Sequence, residues 1–237
     1  MKRTRIASTA LLLLLVGASG TAQAQRNRDK GKGPDRHAAV SHAEQQQRIN
    51  EQRQQATVYK QHLDQQVRVV QQQNAQLQQQ RRAAQYRAQQ QYASRLLLQQ
   101  QQLRAARDYS RDPYISAPQS YRYIVSGTPH LTNQYGADVL RQAVNYGYQE
   151  GLQAGQADRQ DHWAANYQNS IAYRDANYGY EGNYVNQSDY NYYFRQGFRR
   201  GYDDGYYSRS QYGTSSNGTS SILSTVLTAI LGLQSLR

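Results

Sequence analysis

The sequence contains no cysteine. Disulfides, thiolate metal sites and lipid attachment at a processed N-terminal cysteine are therefore excluded, and stability has to come from packing or from partners. Large apolar side chains are also scarce. Leu, Ile, Val and Phe make up about 15% of the chain beyond residue 24, below the ~20% under which a charged chain struggles to fill a core. Catalytic signatures are missing too: there is no Gly-x-Ser-x-Gly elbow, phosphate loop or dinucleotide fingerprint. The five histidines (His37, His42, His62, His130, His162) lack metal-ligand spacing and read as solvated. Asp175, Asn177, Gly179 and Glu181 imitate a calcium loop, but the glycine is fifth rather than sixth and the twelfth residue is Asn186 rather than Glu. Asp203 and Asp204 are helix neighbours that diverge, and read as the acidic end of a solvated helix. The expectation is a non-catalytic chain with no cofactor, no metal and no small-molecule substrate.

What is present begins with an address. Lys2, Arg3 and Arg5 precede an apolar run from Ile6 to Val16, and Ala22-Gln23-Ala24 fits the small-x-small pattern of signal peptidase. The run is shorter than the ~20 residues that span a bilayer. A signal peptide over 1–24 is expected, with Gln25 as the mature N-terminus and no transmembrane helix in the mature chain. Removing three positive charges turns the formal +12 into +9. The exported protein would lie in the periplasm or at the cell surface. Residues 25–37 read as a disordered basic arm.

Residues 38–107 are rich in Gln, Ala and Arg and hold neither Gly nor Pro, which predicts one long helix about 100 Å in length. Ile49, Ala56, Leu63, Val70, Leu77, Ala84, Leu98 and Ala105 recur on a seven-residue register, with Gln91 as the gap. The second position a coiled coil needs is polar (Gln66, Gln73, Gln80, Arg87, Ser94, Gln101). The seam is half-filled, so a coiled-coil-like helix that self-associates weakly is expected, a fraying Gln-rich tract being the alternative. Ten basic residues stand against Glu44, Glu51 and Asp64 here, a possible footprint for polyanions. Residues 108–133 carry three prolines and read as a linker.

The module at 134–212 holds 46-residue-offset repeats. Residues 146–155 (YGYQEGLQAG) align without gaps with 192–201 (YYFRQGFRRG), and Asp158 falls on Asp204. Gly147, Gly151 and Gly155, then Gly197, Gly201 and Gly205, lie four apart and would share a helix face. Each interior glycine costs roughly 1 kcal/mol relative to Ala, which close backbone contact can offset. Two helices near 137–160 and 189–208, packed as an antiparallel helical hairpin with Ser188 as an N-cap, are expected; a Gly/Tyr low-complexity tract is the alternative. Residues 213–221 read as a flexible linker. Over 222–237, Ile222, Leu223, Val226, Leu227, Ile230, Leu231 and Leu233 form an amphipathic apolar helix. It would dock on the chain itself or on another copy.

The run 173–180 (YRDANYGY), with 194–202 (FRQGFRRGY) and the 148–158 copy, resembles a Tyr/Gly/Arg-rich helical module of uncharacterised bacterial exported proteins. The resemblance covers about a third of the chain and implies export and helical structure but no chemistry. The fold class is thus mostly α. Two functions follow. One is a structural or interaction protein of the cell envelope, a weak homo-oligomer. The other is a binding module for anionic polymers such as polysaccharide, lipopolysaccharide or extracellular DNA, with Arg81, Arg82, Arg122, Arg199 and Arg200 as possible contacts.

Overall fold

The computed structural model describes residues 40–104, 108–182, 184–216 and 219–236. The expected signal peptide, the basic arm and Ala105 lie outside them. The described chain is mostly helical. Helices α1 (His42–Gln79) and α2 (Ala83–Arg104) come first, then strands β1 (Tyr121–Val125) and β2 (Thr128–Thr132). Helix α3 (Gln134–Gln160), the short α4 (Ile171–Asp175) and α5 (Gln187–Tyr207) follow. Strands β3 (Gly213–Ser216) and β4 (Thr219–Ile222), helix α6 (Ser224–Leu231) and strand β5 (Gln234–Ser235) complete the order. No described helix is long and apolar enough to cross a membrane.

The Gln-rich segment forms helices, but not a single one over 38–107. Ser41 accepts from the Glu44 N–H to start α1, which runs to Gln79. There Arg81 adopts a left-handed φ of 57°. The Arg82 N–H reaches the Leu77 carbonyl and the Arg81 N–H reaches that of Gln78, a Schellman end with arginine where glycine is usual. The next helix is capped from afar: the Asp161 carboxylate accepts from the N–H groups of Ala84 (2.8 Å) and Gln85 (2.9 Å). Helix α2 therefore folds back antiparallel on α1, with Gln99 bonded to Tyr59 and Gln89 to the Val70 carbonyl. The seven-residue register is buried in α1 at Ile49, Leu63, Val70 and Leu77, but after the turn Leu96 is buried while Leu98 is 55% exposed.

The glycine helices also depart from the expected hairpin. They pack, but in parallel, not as an antiparallel hairpin: Gly147, Gly151 and Gly155 face the carbonyls of Phe194, Phe198 and Tyr202 in that order. A helical hairpin closes with a loop of only about 2–5 residues, whereas the stretch from Asp161 to Asn186, carrying α4, returns the chain to the start of its partner. Asn186, not Ser188, occupies the N-cap of α5.

Three further expectations change. The 108–133 linker contains the β1–β2 hairpin, which β5 extends to the order β2-β1-β5. The 213–221 linker contains the antiparallel β3–β4 pair. Of the 222–237 stripe, Ile222 belongs to β4 and the helix is only α6; Ile222 and Leu231 are buried against the chain's own core, with Val226, Leu227 and Ile230 packed beside them. Tyrosine supplies what the aliphatics lack: Tyr59, Tyr92, Tyr180, Tyr190, Tyr193 and Tyr202 are among the largest fully buried side chains.

Candidate functional site

The six glycines form the contact between α3 and α5. A Cβ added at Gly147, Gly151, Gly197 or Gly201 would stand 2.0–2.1 Å from a carbonyl oxygen of the opposite helix, and one at Gly155 or Gly205 within 2.3 Å. Each glycine of α3 pairs with the one 50 residues on, whereas the sequence repeat aligns at 46; the two offsets differ by one helical turn. These glycines are architecture, and they set where the polar groups of the two helices meet.

Those polar groups lie inside. Glu150, Asp158, Asp175, Asp189 and Asp204 are all buried, and four of them accept from a buried phenol. Tyr148 donates to Asp204 (2.9 Å), Tyr202 to Asp158 (2.6 Å), Tyr123 to Asp189 (2.8 Å) and Tyr92 to Asp175 (2.5 Å). Glu150 receives Arg95 at 2.6 Å. Burial pushes the Glu150 and Asp158 carboxyls up, opposed by Arg95 for the first and by Tyr202 and Arg82 for the second. Burial likewise raises the phenols of Tyr59, Tyr92 and Tyr190 far above their ordinary range. Asp204 is thus not part of a solvated helix end: its side chain also takes the N–H groups of Gln211 and Tyr212. Nor are all the histidines solvated. His62 bonds Asp175 at 2.7 Å, and His130 lies 3.3 Å from Asp189. The calcium-like run is spent internally, because the Asp175 oxygens serve Tyr92 and His62. Among the described residues no group of three or more His, Asp or Glu could hold a metal.

The arginines named from sequence divide. Arg199 is exposed and lies over the Tyr167 ring (5.8 Å). Arg200 is half-buried, over Tyr212 at 5.9 Å, and donates to the Gln196 carbonyl; burial lowers its guanidinium from the ordinary value. Arg122 is exposed on β1 and bonds Gln234 of β5. Arg81 sits exposed in the α1–α2 turn. Arg82 is buried against Asp158 and lies 4.5 Å from the Trp163 ring, which removes it from any polymer surface.

Sequence reasoning missed Arg195. It lies 5.8 Å from Tyr173 and donates to the carbonyls of Tyr173 and Arg174, fastening α4 to α5. Its spacing of four from Arg199 on one helix was the available signal. Together Arg195, Arg199, Tyr173 and Tyr192, with Val125 at the end of β1 and Ser126 of the turn that follows, line a cleft of about 330 Å³. Guanidinium groups beside aromatic rings on an open face suit phosphate, sulfate or carboxylate groups with stacking. Comparison with known proteins finds no matching family model, no matching curated protein and no matching solved structure.

Proposed function

We propose that the chain is an exported, non-catalytic interaction protein of the cell envelope whose partner is an anionic polymer. One observation carries this reading. Among the described residues five carboxylates are buried, but only one basic side chain, Arg82. The core absorbs acid through tyrosine hydroxyls, so the surface is more basic than the net charge implies. That excess is the footprint of a polyanion partner, and Arg199 beside Tyr167 gives it a local form. The non-catalytic part is supported by the internal use of the buried carboxylates as acceptors for Tyr, Arg and His. The export part rests on residues 1–24 and is tested by whether the mature protein starts at Gln25.

The polymer test is retention of the mature protein on immobilised heparin across a salt series. Retention should fall linearly on a log–log plot, and Arg199→Gln should reduce the slope by about one. Absence of retention at low salt, or an unchanged slope in the variant, overturns the reading.

A further inference from the structure

A second cleft, of about 230 Å³, lies between the α1–α2 turn and the segment that crosses from α3 to α4. It has room for several waters or one sugar ring. Its lining is amide-rich, with Gln73, Gln76, Gln80, Gln85 and Gln89 on the two Gln-rich helices and the turn between them, and Asn169 opposite. Trp163 borders it and is 38% exposed. This is the single tryptophan of the chain.

Two side chains of the lining are unfinished. Arg82 and Gln85 are each 7% exposed, and Arg82 Nε and Gln85 Oε1 are buried without a hydrogen-bond partner among the described residues. One is a donor and the other an acceptor. Buried polar atoms left unpaired are costly, and both stand in the wall of one cleft. The geometry around them is fixed. Arg82 is held by Asp158 and Trp163, while the backbone of Gln85 is held by Asp161.

The chemistry of the lining selects the ligand. Each amide both donates and accepts, as a hydroxyl does. Arg82 is neutralised by Asp158 in the floor, and Arg174 adds one exposed guanidinium to the lining. Leu77 is the one aliphatic side chain of the lining, too little for a lipid or an apolar peptide side chain. An indole at the border offers an apolar surface to ring C–H groups.

We infer that this cleft binds a single saccharide ring through its hydroxyls, with Arg82 Nε donating, Gln85 Oε1 accepting and Trp163 flanking the ring. The inference stands apart from the polymer reading, because the ligand is uncharged and the site is not the α5 face.

Trp163 reports directly on occupancy. Mature protein in about 1 M salt, where exposed charges are screened, is titrated with D-glucose, N-acetylglucosamine and D-galactose, and with inorganic phosphate as a comparison. At least one sugar should change the fluorescence saturably with a Kd on the order of 1 mM. Gln85→Leu should weaken that binding about tenfold or more, while raising the melting temperature, since it deletes an unsatisfied buried acceptor. Opposite signs on binding and stability are what a purely structural glutamine would not give. Gln73→Ala, at a half-buried position of the lining, should weaken binding severalfold with melting unchanged, and stands as the test if Gln85→Leu does not fold. The inference is overturned if no sugar acts up to roughly 100 mM, if phosphate gives the same response, or if the folded variants bind as tightly as the parent.

Discussion

Two pairs of helices build this protein by opposite means. In α3 and α5 the side chains have been removed from the contact, and glycine brings backbone against backbone. In α1 and α2 long side chains bridge the contact: Gln89 reaches a carbonyl of α1, Gln100 reaches Asp64 and Gln99 joins Tyr59 to the Tyr180 carbonyl. The first pair is intolerant of a single added carbon. The second leaves Val58, Val69, Leu97 and Leu98 at least partly in solvent and depends on a few satisfied amides. A sequence poor in aliphatics can therefore fold in two ways, by shrinking the contact or by filling it with polar groups that find partners.

The largest expected effect tests whether the two pairs melt as one. Phenols brace both: Tyr59 of α1 donates to the Asn177 carbonyl and Tyr92 of α2 to Asp175 at the end of α4, Tyr148 and Tyr202 bind carboxylates across α3 and α5, and Arg95 joins α2 to Glu150 of α3. Burial holds all four phenols above their ordinary value, and Tyr193 is pushed up to about 12. Because the folded values are raised, this stability is intact below pH ~10 and is lost as pH rises above it. Each such phenol removes up to about 1.4 kcal/mol per pH unit. A handful exceeds a typical stability of about 5–15 kcal/mol within roughly two units. Helicity and tyrosinate absorbance should change together in one steep alkaline transition; two separated steps would show the pairs to be independent.

The next effect probes the glycine contact alone. Gly151→Ala or Gly201→Ala adds a carbon about 2 Å from a backbone oxygen. Overpacking costs ~3 kcal/mol or more against a propensity gain of ~1 kcal/mol. A net loss of about 2 kcal/mol or more is expected by thermal melting. A gain would mean that the helices stand further apart than described.

The smallest effect sorts the glutamines. Gln99 is buried, donates to Tyr59 and Tyr180, and accepts from the Gly179 N–H. Gln99→Ala leaves those groups unpaired and should cost roughly 2 kcal/mol, measured by denaturant unfolding. Gln90, exposed on the same helix, should change stability by less than about 0.5 kcal/mol when replaced by Ala. Equal costs would erase the distinction between bridging and solvated amides.

What the sequence made legible was local. Missing breakers marked the Gln-rich helices, and four-residue glycine spacing marked the faces of α3 and α5. The α1–α2 turn was not legible, because its left-handed residue is Arg81 where glycine is usual, and the cap of α2 is Asp161, supplied by tertiary contact. Helix direction was misread although the long intervening segment argued for a crossover. The buried carboxylates were invisible for the same reason: Asp204 is solvated on an isolated helix and is buried only once Tyr148 and the chain after α5 close over it. Of the arginines, Arg199 and Arg82 look alike in sequence, and only the fold sends one outward and the other inward.

The cross-pairing of Tyr148 with Asp204 and Tyr202 with Asp158 has a kinetic consequence. A ladder of identical steps is prone to slippage, and sliding α5 by one turn would still match Gly151 with Gly197 and Gly155 with Gly201. Such a misaligned species would be compact and helical, a trap on the route to the native state. The α1–α2 turn closes locally and can form early, whereas α3 must find α5 across a long segment. The two phenol–carboxylate bonds act as keys that fit only the native alignment. They make the slipped ladder bury two carboxylates and two hydroxyls unmatched, and so drive it back toward the search.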